Sequence, residues 1–268
     1  MIDHKFNKKF GQNFIFDKNL LNAIVVDSGV TKNDDVLEIG PGAGTLTQMI
    51  SKYANKVVSY EIDTMLEPIL KENLKDCLNT NVVFKDALKT PIQEIEEHFK
   101  DRYSIIANLP YYITTPLIFK FVEQTNKVDS ITVMVQKEVA ERFVSKPNSK
   151  DYGIITIMLD FVGQVKIMRN VNRKMFTPVP NVDSAVVKII LNKNKYQADF
   201  KTFSSIVHAA FSMRRKTLLN NLSSGLNLSK DVVNKWLKNA QINPQQRAEQ
   251  LSTIDYVNLT NTYFDSIS

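Results

Sequence analysis

The chain has 268 residues, of which 43% are hydrophobic and 23% charged, and its formal net charge is +6. This composition predicts a globular protein with one large or two unequal domains, and the positive charge favours a polyanionic partner. No apolar run reaches about 18 residues, and the N-terminus lacks the apolar core of a signal peptide. We therefore expect a cytoplasmic protein without a membrane segment.

Cysteine and histidine are too scarce and too scattered for a metal site. Cys77 is the single cysteine of the sequence, which excludes an intramolecular disulfide and a metal site built from cysteines. His4, His98 and His208 are far apart in the sequence and lack the spacing of metal ligands. We expect that the protein binds no metal and that Cys77 packs against apolar neighbours.

The N-terminal stretch, residues 4–14, mixes cations, aromatic rings and amides, among them Lys8, Lys9 and Asn13. This mixture suits contact with phosphates and bases, or with a small polar ligand. A solvated arm is the alternative interpretation. A helix is predicted to follow, because apolar residues recur at helical spacing between the capping residue Asp17 and Gly29.

A strand, a glycine-rich loop, a helix and a second strand come next. The strand at residues 35–39 leads into Gly40-Pro41-Gly42-Ala43-Gly44, which we call the glycine loop, and the strand at residues 56–60 ends at Glu61. This order is typical of a nucleoside-binding α/β unit. Glycines let the backbone approach the ligand, and the strand-end carboxylate accepts hydrogen bonds from two ribose hydroxyls.

The spacing within the glycine loop disfavours a dinucleotide. The dinucleotide pattern is G-x-G-x-x-G, whereas here the third glycine comes one residue early and Pro41 stiffens the turn. A pyrophosphate needs several free backbone N–H groups at the start of the helix, but S-adenosylmethionine has no phosphate. We therefore interpret Gly40, Gly42 and Glu61 as parts of a site for this methyl donor. An NAD-dependent oxidoreductase is the alternative from another enzyme class.

The third predicted strand, residues 81–84, is followed by Asp86. A carboxylate at this position can accept a hydrogen bond from the adenine amine of the cofactor. A loop carboxylate or helix cap is the alternative interpretation.

The fourth predicted strand, residues 103–107, is followed by Asn108-Leu109-Pro110-Tyr111, which we call the tetrapeptide. The exocyclic amine of adenine is a poor nucleophile, because its lone pair is delocalised into the ring. The side-chain oxygen of Asn108 and the backbone carbonyl of Leu109 can accept its hydrogens and free that lone pair. Pro110 has no N–H and favours an extended Leu109, while Tyr111 offers a ring for stacking. An ordinary turn is the alternative.

Later segments extend the predicted sheet. Thr114-Thr115-Pro116 predicts the start of a helix, with a threonine cap and a proline in the first helical position. Strands are predicted at residues 130–135, 165–171 and 185–191, the last two as a hairpin-like pair. Strands that alternate with helices predict a parallel sheet. The polar loop at residues 146–153 is expected to be solvated, with contact to RNA as the alternative interpretation.

A loop with two prolines joins the last two strands and presents Phe176 beside Arg173 and Lys174. The ring can stack on a base if the loop lies over the tetrapeptide, or it can anchor the loop in the core. The two cations are candidates for contact with RNA.

The clearest linker is at residues 192–195, after which only helices are predicted. We therefore predict a methyl-donor domain over residues 1–193 and a helical, RNA-binding domain over residues 194–268. Arg214, Arg215 and Lys216 form a basic cluster in the second domain. The cluster is either a clamp on an RNA backbone or a solvated face.

Together these features make the chain similar to the ribosomal RNA adenine N6-dimethyltransferase family, and most similar to its small-subunit branch. The resemblance is carried by motifs spread along the chain: Lys9-Phe10-Gly11-Gln12-Asn13-Phe14, Glu38-Ile39-Gly40-Pro41-Gly42-Ala43-Gly44, Glu61-Ile62-Asp63, the tetrapeptide, Phe176-Thr177-Pro178-Val179-Pro180-Asn181-Val182-Asp183-Ser184, Phe211-Ser212-Met213-Arg214-Arg215-Lys216-Thr217-Leu218 and Arg247-Ala248-Glu249-Gln250-Leu251-Ser252.

The resemblance implies a Rossmann-like, seven-stranded methyltransferase sheet with a small C-terminal helical domain. It implies that the residues around S-adenosylmethionine are Asn13, Ile15, Gly40, Glu61, Asp86 and Asn108. It further implies that the tetrapeptide holds the target adenine, with Phe176 on the other face. Tyr112 departs from the family, where many members have asparagine.

The implied activity is dimethylation of two adjacent adenines in the 3′-terminal hairpin loop of 16S ribosomal RNA, late in small-subunit assembly. We expect the protein to act as a monomer. One alternative is the same chemistry on 23S ribosomal RNA, as in macrolide-resistance methyltransferases. Another is a non-catalytic RNA-binding assembly factor that keeps the fold.

Overall fold

The computed structural model describes residues 14–15 and 17–267. Within them lie nine strands: β1 (Phe14–Ile15), β2 (Asp35–Ile39), β3 (Lys56–Tyr60), β4 (Thr80–Val83), β5 (Tyr103–Asn108), β6 (Val128–Gln136), β7 (Gly163–Val171), β8 (Phe176–Thr177) and β9 (Ser184–Leu191).

The same residues contain twelve α-helices: α1 (Lys18–Ser28), α2 (Thr45–Tyr53), α3 (Glu67–Asn73), α4 (Ile92–Glu96), α5 (Tyr111–Gln124), α6 (Lys137–Phe143), α7 (Ile154–Val162), α8 (Phe200–Ala210), α9 (Leu218–Gly225), α10 (Lys230–Asn239), α11 (Thr253–Asn261) and α12 (Tyr263–Ile267). None of these helices in the described part of the chain has the length and apolar character needed to cross a membrane.

In the described residues, seven strands form one sheet in the order β4-β3-β2-β5-β6-β9-β7. Strands β4, β3, β2, β5 and β6 run parallel, whereas β9 is antiparallel to β6. The helices between successive parallel strands supply the crossovers that such a sheet requires. The sheet confirms the predicted α/β fold, and β7 and β9 lie side by side as predicted.

The central strands are apolar without alternation, because neighbours cover both faces of a parallel sheet. Side chains from α1 and α2 pack on β2, β5 and β6 in one cluster. Val25, Ile50, Val36, Ile106 and Met134 belong to it, and none is more than 2% exposed. Each such side chain stabilises the fold by about 1.5–3 kcal/mol when it leaves water.

Helix α5 begins earlier than the sequence predicted. The threonine and proline signal placed its start at Pro116, but Tyr111 is the first helical residue, Pro110 is the cap and Pro116 lies inside the helix. The hydroxyl of Thr114 donates to the carbonyl of Pro110 at 3.3 Å, which is a bond within a turn that has already begun. The helix therefore starts within the tetrapeptide.

The described residues divide into two compact units. The first runs to Ala140 and includes Lys166–Leu191, and the second combines Glu141–Val165 with the residues from Asn192 onward. The break at Asn192 coincides with the predicted linker. The predicted domains differ from this division in residues 141–165, which pack with the helices of the second unit.

Hydrogen bonds explain why residues 141–165 belong to the helical unit. The Tyr152 hydroxyl donates to the carbonyl of Leu251 at 2.9 Å, and the Asn148 N–H donates to the carbonyl of Glu249 at 2.8 Å. Both acceptors belong to the Arg247–Ser252 motif. These bonds join positions about a hundred residues apart, so local composition gives no sign of them.

Candidate active site

The strand register brings the predicted site residues to one edge of the sheet. Ile39 of β2 pairs with Tyr60 of β3 on one side and with Ala107 of β5 on the other. The next residue of each strand is Gly40, Glu61 and Asn108, respectively. All three therefore lie at the carboxyl ends of adjacent parallel strands, where open α/β sheets bind ligands.

The glycine loop has backbone angles that favour glycine. The φ angles of Gly40, Gly42 and Gly44 are 71°, 57° and 81°, in the left-handed region that side chains with a Cβ rarely adopt. A Cβ on Gly44 would also lie 3.2 Å from side-chain atoms of Leu70 and Leu74. The loop thus turns tightly from β2 into α2.

Glu61 is buried at the base of the glycine loop and only 1% exposed. Its Oε2 accepts a hydrogen bond from the Gly42 N–H at 3.1 Å, and its Oε1 accepts one from the Asp63 N–H at 2.9 Å. Burial raises the pKa of Glu61, while these hydrogen bonds act in the opposite direction. Each carboxylate oxygen has a further lone pair, so Glu61 can hold the loop and accept ribose hydroxyls together.

Glu38 is a second buried carboxyl group, to which the sequence analysis assigned no role. It lies two residues before Gly40 and is 1% exposed. The Ser59 hydroxyl donates to its Oε2 at 2.7 Å, and its Oε1 has no hydrogen-bond partner among the described residues. Burial raises the pKa of Glu38 to about 7, and nearby Glu61 adds to the effect. The signal in the sequence was an acid with apolar neighbours on both sides, Leu37 and Ile39, inside a strand.

Asp86 lies in a turn beyond the end of β4. Its Oδ1 accepts the Leu88 N–H at 2.9 Å, and its backbone carbonyl accepts the N–H groups of Lys89 and Thr90 at 3.1 and 2.9 Å. Asp86 therefore caps this turn, in agreement with the alternative interpretation of a loop or capping carboxylate. The half-buried carboxylate keeps lone pairs for a further donor, so both interpretations are compatible with this geometry.

The tetrapeptide packs directly on the glycine loop. Asn108 ends β5, is half-buried and pairs with Met134 of β6. Leu109 is 4% exposed, and its Cδ2 lies 3.8 Å from the position that a Cβ on Gly40 would occupy. The Pro110 carbonyl accepts the Ile113 N–H at 3.1 Å and so starts α5. The side chain of Tyr111 lies outside the described part of the structure.

Strands β1 and β8 join the N-terminal motif to the proline-containing loop. Ile15 pairs with Phe176, and the Thr45 hydroxyl donates to the Ile15 carbonyl at 3.3 Å. Ile15 and Phe176 are each 2% exposed and belong to the apolar cluster with α1 and α2. Phe176 therefore anchors its loop in the core, and stacking on a base would require this loop to open. Three predicted site residues lie outside the described residues: Lys8, Lys9 and Asn13.

The predicted RNA-binding cations that the structure describes are all exposed. Arg173 donates from Nη1 to the carbonyl of Asn181 at 3.1 Å, so this side chain also braces its loop. Lys174 follows in the same turn. In the helical unit, Arg214, Arg215 and Lys216 lie in the segment between α8 and α9.

A family model described as ribosomal RNA adenine dimethylase matches residues 3–265 of the chain. The chain belongs to this family. Curated relatives named ribosomal RNA small subunit methyltransferase A are similar over nearly the whole length. The protein of that name from Clostridioides difficile is 43% identical over 271 residues, which cover 98% of this chain and 93% of the relative. That from Bacillus licheniformis is 41% identical over 264 residues, with 96% and 90% covered.

Solved structures agree with this membership. A dimethyladenosine transferase from Plasmodium falciparum superposes with a TM-score of 0.78 at 26% identity, covering 94% of this chain and 98% of the other. The 23S rRNA methyltransferase ErmE gives a TM-score of 0.70 at 24% identity, covering 93% and 99%, which shows a shared fold. These findings confirm the resemblance drawn from the motifs, the methyltransferase fold, the enzyme class and S-adenosylmethionine as the methyl donor.

Proposed function

We propose that this dimethylase family member transfers methyl groups to N6 of two adjacent adenines in the 3′-terminal hairpin loop of 16S ribosomal RNA, late in small-subunit assembly in the cytoplasm. The observation that carries the proposal is the packing of the tetrapeptide on the glycine loop, with Asn108 at the same sheet edge as Gly40 and Glu61. The names of the curated relatives support the small-subunit target.

The residues at this edge fit S-adenosylmethionine. Its nucleoside would lie over the glycine loop, with Glu61 accepting ribose hydroxyls and Asp86 accepting from the adenine amine. The Ile15 carbonyl accepts a hydrogen bond from the Thr45 hydroxyl at the start of α2. Ile15 would therefore lie at the border of the cofactor site, together with Asn13. The cofactor supplies an electrophilic methyl group on a sulfonium centre.

Asn108 and Leu109 would activate the target adenine. Their oxygens accept the hydrogens of the exocyclic amine, which localises the nitrogen lone pair and stabilises the positive charge that develops during transfer. A strong base is unnecessary, because the nitrogen becomes acidic once it is alkylated and can release its proton to water. Catalysis by these residues is then mainly positioning.

Stacking and charge would hold the RNA. Taking a loop base out of its stack costs a few kcal/mol, and stacking on an aromatic ring such as Tyr111 returns about 1–3 kcal/mol. Arg173 and Lys174 in the first unit, and Arg214, Arg215 and Lys216 in the second, would neutralise phosphates. Lys8 and Lys9 are further candidates, and we propose that the active form is a monomer.

The direct test is to incubate the protein with undermethylated small ribosomal subunits and, in a parallel reaction, with large subunits, each with methyl-labelled S-adenosylmethionine. The label is then mapped by nuclease digestion and mass spectrometry. We expect dimethyladenosine at two adjacent adenines of the 3′-terminal hairpin loop. Label on 23S RNA, with none on the small subunit, would instead support the large-subunit alternative. Tight binding without transfer would support a non-catalytic assembly factor.

A further inference from the structure

Lys120 is a buried lysine on α5, only 8% exposed, that the proposed chemistry does not use. Its Nζ donates hydrogen bonds to the backbone carbonyls of Ala87 at 2.7 Å, Leu88 at 3.0 Å and Thr90. An ammonium group has three N–H donors, and these acceptors match them. A buried charge is costly without such partners, so this contact is specific rather than incidental.

The accepting segment, residues 86–90, is the turn that carries Asp86. Its N–H groups are directed to Asp86: Leu88 donates to the carboxylate, and Lys89 and Thr90 donate to the backbone carbonyl. The Thr90 hydroxyl also donates to that carbonyl, at 2.9 Å. Three N–H groups of the turn are thus held by Asp86, and three of its carbonyls by Lys120. The exposed Lys89 Nζ also lies 3.8 Å from Asp86 Oδ2, but the buried bonds to Lys120 are those that fix the backbone from which the Asp86 carboxylate projects.

Lys120 also connects two parts of the active site. Helix α5 begins at Tyr111, within the tetrapeptide, and Lys120 lies nine positions further along the same helix. Nine residues of α-helix span about 13.5 Å. The helix that starts at the target-adenine motif is therefore bonded, through one side chain, to the turn that faces the cofactor's adenine.

We propose that Lys120 is a positioning residue, which fixes the turn of residues 86–90 so that Asp86 selects the 6-amino group of the cofactor's adenine. This inference rests on the proposed role of Asp86. Burial lowers the pKa of Lys120, whereas the nearby Asp86 raises it.

The test compares the affinities of two probes by calorimetry, S-adenosylhomocysteine and S-inosylhomocysteine, in which a carbonyl oxygen replaces the 6-amino group. The wild-type protein should prefer the adenosyl probe. Lys120→Met should reduce that preference on the order of tenfold, the size of one hydrogen bond to a charged acceptor. Lys120→Gln retains two N–H donors on a shorter side chain, so it should reduce the preference for the adenosyl probe by a smaller factor. If the methionine variant does not fold, the comparison of Lys120→Gln with the wild type serves as the test.

Asp86→Asn separates this inference from the proposed function. The amide oxygen can still accept the Leu88 N–H, while the amide N–H₂ can donate to the inosine carbonyl, so the preference should move toward the inosyl probe. An unchanged preference would overturn the role of Asp86 and the inference that rests on it. If Asp86→Asn shifts the preference while Lys120→Met and Lys120→Gln do not, only the role of Lys120 is overturned.

Lys32 provides the matched control. Its Nζ donates to the carbonyls of Ser51 and Ala54 at 3.1 Å each, at the end of α2. Lys32→Met therefore also removes lysine-to-carbonyl bonds but leaves residues 86–90 untouched. Its probe preference should equal that of the wild type. An equal loss of preference in this variant would show that general destabilisation, rather than positioning by Lys120, is the cause.

Discussion

The proposed chemistry depends most on one amide, Asn108. Asn108→Ala removes the side-chain acceptor for the target amine but leaves Gly40 and Glu61 at the sheet edge. We expect the rate of methyl transfer to fall by about 10²–10³-fold, as when a single preorganised group is removed from other active sites. Cofactor binding should persist at least in part. Single-turnover transfer and calorimetry measure the two effects separately.

The control for this prediction is Asn81→Ala, which removes an exposed amide from β4. It should transfer methyl groups at the wild-type rate. If Asn108→Ala did the same, the amine-acceptor role of Asn108 would be refuted. If Asn108→Ala lost cofactor binding entirely, Asn108 would be a binding residue first.

Glu38 should make the stability of the protein depend on pH. In the unfolded chain its carboxyl group releases its proton near pH 4.5, whereas in the folded protein burial keeps it protonated up to a pKa of about 7. Between these values the folded state holds more protons than the unfolded state, so the free energy of unfolding falls as pH rises, by about 3 kcal/mol in total. Above pH 7 this contribution is constant.

Glu38→Gln removes the titrating group, so the variant does not lose stability in this pH range as the wild type does. The free energy of unfolding of the variant minus that of the wild type should therefore rise between about pH 4.5 and 7 and be constant above that range. Urea unfolding at a series of pH values measures this difference. The exposed Glu67→Gln is the matched control. A parallel rise in the control, or a pH-independent difference for Glu38→Gln, would contradict the assignment to Glu38.

Among the secondary-structure elements, the seven strands of the main sheet were predicted well, whereas the short strands β1 and β8 and the start of α5 were not. Residues 35–39 and 56–60 are strands with the predicted bounds, because apolar runs between turn residues have few other solutions. The start of α5 depends on competition between two signals. Pro116 is compatible with a first turn, but Pro110 supplies the same fixed φ six residues earlier, next to the end of β5.

The internal proline of α5 leads to a stability prediction. Pro116 has no N–H for the carbonyl of Tyr112, and its ring is exposed, so little packing is lost when it is replaced. Pro116→Ala should raise the free energy of unfolding by about 1–3 kcal/mol, because the helical hydrogen bond is restored and the proline ring no longer crowds the carbonyl of the preceding turn. Urea unfolding measures the gain. Thr115→Ala, at the neighbouring position, should change stability far less, and a gain of equal size there would contradict this explanation.

In the molecule as a whole, the features that the sequence did not predict are those that depend on contacts between residues far apart in the chain. The linker after Leu191 was visible as a cluster of polar residues. The association of residues 141–165 with the helical unit was not, because it depends on bonds such as Tyr152 to Leu251. The burial of Phe176 was likewise left open, since its partner Ile15 is about 160 residues away and their pairing is not encoded locally.

The basic cluster Arg214, Arg215 and Lys216 has a defined support in the helical unit. The Asn221 side chain, 1% exposed, donates to the carbonyls of Ala210 and Met213 at 2.5 and 3.0 Å. These bonds fix the start of the segment that carries the cluster. A backbone that is already held in place loses less conformational entropy when its exposed cations bind phosphates. This favours the RNA-binding interpretation over a merely solvated face.

Replacing Arg214, Arg215 and Lys216 by alanine should weaken RNA binding and reduce its salt dependence. The logarithm of the binding constant falls linearly with the logarithm of the salt concentration. Each lost phosphate contact reduces the steepness of this line by about 0.7–0.9, so the loss of three contacts would reduce it by about 2–3. Binding of small-subunit RNA at several salt concentrations measures the slope. The control removes the same charge from exposed lysines of α10: Lys230, Lys235 and Lys238. A slope that falls equally in both triple variants would mean that net charge, rather than the position of the cluster, attracts the RNA.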